Sequence, residues 1–348
     1  MSRVRTIQRL LVPLAAALAA VALATGFAAF AALLAGTDPA KAAEALVKGS
    51  IGGPAALADT LLAFVPLLLT GVAVALAFRS GVFNIGAEGQ FLVGALAATA
   101  AGVLLPAFSG QALVVLLAGA VAGALWAAIA GVYRLARGIN EVITTILLNF
   151  IALYLVSWAV HGPLQEAARA YPQSDALPAE ARLWPLWPGS AVHVGLLIAL
   201  VLLVVTGAVL SRTSLGLRWR SAGQNASAAR LAGFPVGRDL LCAFASSGAL
   251  AGLAGAIEVA GLTGRLYERI GSGYGFTAIA IALLGGLNTA GVGLAAWFFA
   301  ALATGAQAME RVAGVPSVLA MAAQGATLLV IAVVGGLRLF KPDSEPSA

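Results

Sequence analysis

RSGVFNIGAEGQFLVGALAA, residues 79–98, interrupts a chain otherwise dominated by Ala, Leu, Val and Gly. Asn84, Glu88 and Gln90 stand together here, between apolar runs on either side. The surroundings decide how this stretch is read. The 348 residues are 61% hydrophobic and only 10% charged, far below the roughly 25% charged content of a soluble domain. Apolar runs near the length of about 20 residues that crosses a bilayer recur along nearly the whole sequence. They fall at 10–35, 57–78, 86–106, 112–133, 142–160, 192–210, 239–260, 276–287, 290–309 and 315–337. The expected fold is an all-α integral membrane protein of about ten transmembrane helices, because hydrocarbon offers no water to unpaired amides. The stretch at 79–98 is then a polar break between two spans.

The ten segments predict one transmembrane domain over 1–348, with 1–9 and 338–348 as cytoplasmic ends, 161–191 as an outer loop and 211–238 as a cytoplasmic region. Of the 20 Lys and Arg residues, thirteen fall on the side of the amino terminus and seven on the other, which places both termini inside. The apolar run after Arg3, Arg5 and Arg9 is too long for a signal peptide and reads as the first span. The net charge of +6 is spread through the gaps without a basic stripe, so nucleic acid is not an expected partner. The one cysteine, Cys242, excludes an internal disulfide.

Segment 276–287, FTAIAIALLGGL, is too short to span and reads as a half-helix. It follows a second Gly-rich polar break, GSGYGFTAIA, so 57–106 and 239–309 share a pattern of apolar helix, break and small-residue helix. Under the counted topology the breaks face opposite sides, as in inverted repeats that build a pathway from discontinuous helices. The outer gap 161–191 carries five prolines with Trp184 and Trp187. It reads either as a rigid interfacial cap or as a plain connector. In the inner gap, Asn225 can cap a short helix over 226–232, Gly233 can end it and Pro235 stops it continuing. Arginines including Arg218, Arg220 and Arg230 frame this helix, whose small face, centred on Ala226 and Ala229, would let a partner approach its backbone.

Carboxylates and amides within spans usually face a bundle interior or an aqueous cavity. Four-residue spacing puts Asn84 and Glu88 on one helix face with Gln90 elsewhere. Glu141, Thr145 and Asn149 form a second polar stripe in NEVITTILLNF. Each residue could line a solute pathway or merely join helices, as polar groups in membrane bundles do. Tyr274, at the second break, and Phe83, able to stack on a planar ring, complete the candidates. No phosphate-binding GxxxxGK[ST] loop, His-Glu-x-x-His motif or cysteine cluster occurs, so ATP hydrolysis, metal binding and intramembrane proteolysis are not expected of this chain. An ATP-independent carrier or channel stays open as another class.

GVFNIGAEGQFLVGALAA, NEVITTILLNFIALYL, TSLGLRWRSAGQNASAARLAG and GYGFTAIAIALLGGLNTAGVGLAA occur in this order. Together they resemble the permease subunits of bacterial ABC importers for branched-chain amino acids and simple sugars, and within these the nucleoside-uptake branch. The resemblance implies a dimer with a second, related permease, placement in the bacterial inner membrane, and an extracytoplasmic binding protein or lipoprotein. It also implies a separate cytoplasmic ATPase that holds ATP and Mg, and a coupling helix for that ATPase within Gly216–Gly233. The sequence GGLNTAG departs from the Gly-Gly-Thr type of sugar permeases. A nucleoside is the expected solute, with a simple sugar such as ribose as the alternative.

Overall fold

The computed structural model describes residues 36–271 and 273–316, together with the single residues 26, 30, 32, 33 and 318. The expected first and last spans and both termini lie almost wholly outside these. The remaining eight expected segments are helices. They are α2 (Pro54–Arg79), α3 (Ala87–Leu104), α4 (Gln111–Arg137), α5 (Glu141–His161), α6 (Gly195–Arg212), α9 (Val236–Ile257), α10 (Tyr274–Leu284) and α11 (Thr289–Ala313). Seven of these are long and apolar enough to cross a membrane, and α10 is the short apolar helix. Among the described residues, three α-helices sit in the gaps, α1 (Pro39–Ile51), α7 (Ser214–Gln224) and α8 (Ala226–Leu231), with one 3-10 turn at Ala179–Ala181. Only α8 was anticipated. Yet α1 has local signals, with Asp38 accepting from Ala40 N–H and Pro39 in the first turn, where a missing amide donor costs nothing.

The chain divides into two compact units, residues 1–60 with 298–348, and residues 61–297. In the first, Thr60 Oγ1 donates to the Ser50 carbonyl and meets Thr304 Oγ1, both at 2.7 Å. Beside them, Leu46, Leu302 and Met309 form an apolar cluster.

In the second unit, α9 packs chiefly on α4 and α3, which also pack on each other. Lipid tails are as apolar as leucine, so close contact rather than water exclusion drives this association. Glycine permits it. A Cβ at Gly94 on α3 would overlap the backbone of Gly252 on α9, and one at Gly123 on α4 would collide with Gly248. Helix α9 does not end at Ile257 but widens into a π-turn over Glu258–Thr263, a distortion often found at functional sites.

Candidate functional site

After Arg79 the chain turns at Gly81, whose φ of +75° suits glycine, and runs without helix to Gly86. Asn84 therefore precedes α3 instead of lying on it, which corrects the expectation that it shares a helix face with Glu88. Its true partner is Gln90. Asn84 Nδ2 donates to Gln90 Oε1 at 3.0 Å, and Gln90 Nε2 donates back to Asn84 Oδ1 at 2.9 Å. Asn84 Nδ2 also donates to Ser247 Oγ on α9, whose hydroxyl donates to the Ala73 carbonyl on α2. Gly86 N–H reaches Asn84 Oδ1. The amide pair thus fixes the break against two helices.

Glu88 turns the other way. Its two carboxylate oxygens accept from the backbone N–H groups of Gly273, at 2.9 Å, and Gly275, at 2.7 Å. These belong to the first turn of α10, while Glu88 lies in the first turn of α3. Two helix N-termini with partial positive charge consequently meet across one carboxylate. The stripe on α5 supports this meeting point. Asn149 Oδ1 accepts from Gly89 N–H and its Nδ2 donates to the Ile85 carbonyl. Thr145 Oγ1 bonds the Glu141 carbonyl, and Glu141 pairs with Arg134, which also donates to the Gly81 carbonyl. Asn149 stands eight residues along α5 from Glu141, about 12 Å of helix rise. The α3 and α10 ends thus lie well inside the bundle.

Glu141, Thr145, Asn149, Asn84, Glu88 and Gln90 are all buried, whereas Phe83 is 54% exposed. Tyr274, half-buried at the start of α10, packs edge-on against Phe91. Both Glu88 and Glu258 lie within electrostatic reach of its hydroxyl. Sequence reasoning missed Glu258. It opens the π-turn, is 6% exposed, and among the described residues its carboxyl has no hydrogen-bond partner. A lone glutamate inside a span was its signal. Ser247 and Arg134 were missed as well, because only the folded chain brings them to the break.

At the end of the bundle where α2 finishes and α3 has not yet begun, α7 and α8 form a hairpin. Asn225 Oδ1 accepts from Ser227 and Ala228 N–H, which is the cap expected from sequence. Gly233, at φ +82°, follows the helix end. Ala226 is half-buried. Ala229, expected on the open face, is instead turned inward and 3% exposed, so α8 presents Ser227, Ala228, Arg230 and a 91% exposed Leu231. Arg218 pairs with buried Asp239 on α9 at 3.0 Å, while Arg220 folds back onto the Gly216 carbonyl. The far end of α7 touches the break itself. A Cβ added to Gly81 would come within 2.8 Å of Gly223 Cα.

The opposite end is covered by the segment between α5 and α6, which the structure shows to be tied down. Ser174 N–H donates to the Leu266 carbonyl, Leu177 N–H to that of Gly264, and Leu183 N–H to that of Ala260. Glu166 accepts from Gln173 Nε2, Tyr171 N–H and Arg265. The Gln173 hydrogen bond, followed by the backbone bond and the Arg265 charge, holds its carboxyl below the usual range. His193 is buried beside Gly261, and desolvation pulls its imidazole down to about 4. Its Nδ1 accepts from Gly195 N–H at 3.2 Å, which fits the neutral ring.

Comparison with known proteins gives this geometry a family. Residues 56–336 match the family described as branched-chain amino acid transport system / permease component. The glucose ABC transporter permease TsgB13 of Haloferax volcanii is 40% identical, covering 89% of this chain and 84% of the relative. The guanosine ABC transporter permease NupP of Bacillus subtilis is 35% identical over 90% of each chain. The nucleoside ABC transporter permease NupB of Lactococcus lactis subsp. cremoris is 31% identical over 89% and 88%. No solved structure matches the chain. An all-helical bundle with broken helices and a match across most of its length leave one family: the chain belongs to the permease components of branched-chain amino acid-type ABC transport systems.

Proposed function

We propose that this chain forms half of the translocation pathway of an ATP-driven importer for a nucleoside, moving its solute by alternating access. The reading rests on one observation above the rest, the meeting of the α3 and α10 N-termini at Glu88 inside the bundle. Two interrupted helices held by a few polar contacts can shift against each other at far less cost than continuous spans. The solute passes beside Phe83 and Tyr274, while Asn84, Glu88, Gln90, Glu141, Thr145 and Asn149 fix the shape of that wall. Phe83 offers a face on which a base can stack.

In this reading the amino terminus and the α7–α8 hairpin are cytoplasmic, in the inner membrane. A partner ATPase, which binds ATP and Mg, closes against α8. The movement reaches α9 through Arg218 and Asp239, and reaches the break through Gly223 against Gly81. A second, related permease completes the pathway, and an extracytoplasmic binding protein or lipoprotein docks on the opposite end. A nucleoside is favoured because two relatives similar over nearly the whole chain are named for guanosine and nucleoside transport.

A simple sugar is the second reading, favoured by the 40% identity to a permease named for glucose. The loop GGLNTAG therefore does not by itself exclude a sugar. The deciding experiment measures ATP-dependent uptake of labelled guanosine, ribose and glucose by vesicles containing the complete transporter. Saturable guanosine uptake, competed by other nucleosides and not by the sugars, is expected. Sugar uptake alone would replace the nucleoside reading.

A further inference from the structure

Between the last turn of α6, the end of α2 and the start of α11 lies a cavity of about 350 Å³. Its polar wall is formed by Arg79, Ser211, Arg212, Asn288 and Thr289, and none of its nine lining residues carries a carboxylate. Arg79 is anchored, its Nη1 donating to the Leu287 carbonyl at 3.3 Å. Asn288 Oδ1 accepts from Ala290 N–H, capping the turn where α11 begins, so the positive end of that helix faces the same space. Arg212 is exposed and makes no ion pair among the described residues. Such a cavity suits a singly charged phosphate group, for which guanidinium is the preferred partner.

The apolar side indicates which phosphate. Val204 also lines the cavity, and from it Leu197, Leu200, Val201 and Val205 form an exposed stripe along α6. Their spacing of three and four residues places them on one face. Val204 to Leu197 covers about 10 Å of helix. The 18 residues of α6 rise about 27 Å, close to the hydrocarbon thickness, so the cavity at its end sits at headgroup depth. We infer that this cavity binds the phosphodiester of an anionic phospholipid, with an acyl chain lying along the α6 stripe. Free inorganic phosphate shares the anionic group and lacks the chain.

The test uses the assembled transporter in nanodiscs of neutral phosphatidylcholine and follows binding of acyl-labelled phosphatidylglycerol. Saturable binding is expected, weakened about tenfold by Arg212→Gln, the loss of one charge-assisted contact. Arg212→Lys should retain most of it, which separates charge from folding. Val204→Asp should weaken lipid binding through the stripe, and inorganic phosphate should fail to compete. Equal binding by wild type and Arg212→Gln would overturn the inference. So would full displacement by inorganic phosphate, which would make the free ion the ligand. Loss of the ATPase subunit from Arg212→Gln with lipid binding unchanged would assign the arginine to that partner instead.

Discussion

Glu88 and Glu258 are both carboxylates enclosed within the bundle, and their surroundings separate them. Glu88 accepts two backbone N–H groups from another helix, contacts worth about 1.5–3 kcal/mol each when one partner is charged. Glu88→Gln can keep only part of this, since its amide nitrogen cannot accept. The expected result is protein that still reaches the membrane but melts several degrees lower and loses about tenfold or more in uptake. Unchanged uptake would remove Glu88 from the moving parts. Glu258 has no such partners among the described residues, so Glu258→Gln breaks no hydrogen bond there and should lower the melting temperature far less than Glu88→Gln does. A changed KM with an unchanged melting temperature would place Glu258 on the solute route. Asn84 shows what sequence spacing misses, because i, i+4 geometry holds only inside a helix and Asn84 precedes one.

Among the elements, the α7–α8 hairpin carries two tests. Asn225→Ala removes a side-chain cap and should cost about 1 kcal/mol, read as a lower melting temperature. Leu231→Asp alters only the exposed tip of α8. It should abolish solute-stimulated ATPase activity in the complete transporter while melting normally. Ala229→Arg tests something else, because an inward-facing alanine cannot lengthen without pushing α8 off its support.

The outer segment is an element whose stability depends on pH. Its His193 is neutral in the folded protein and titrates at about 4, against an ordinary value near 6.5. Between those values the unfolded chain takes up a proton that the folded chain refuses, so stability falls as pH drops from about 6.5 to 4. The loss can reach about 3 kcal/mol at roughly 1.4 kcal/mol per unit. His193→Asn should flatten the melting curve over that window. Glu166, held below the carboxylate range, adds stability that is present above its ordinary pKa and lost as pH falls below it. Acid loss under pH 4.5 should therefore persist in the His193 variant and shrink in Glu166→Gln.

For the whole molecule, the expectation is dependence on partners. Vesicles containing this chain alone should show no solute flux above empty vesicles, and ATP should restore it only when the ATPase and second permease are present. Flux from the chain alone would mean an independent carrier.

The seven described spans, the half-helix and the Asn225 cap were legible in the sequence, because each is set by neighbours within a few residues and by hydrocarbon's demand that the backbone satisfy itself. The helix α1 was equally local, signalled by Asp38 and Pro39, and went unread in a gap defined by its lysines. Other features were decided only by tertiary structure: the partners of Glu88, 185 and 187 residues away, Ser247 against Asn84, and the inward turn of Ala229. Glycine pairs such as Gly94 and Gly252 let helices distant in sequence approach closely enough for those bonds to form. A buried polar side chain takes whatever donor or acceptor that packing delivers. Its residue type foretells the need for a partner, and only the fold supplies one.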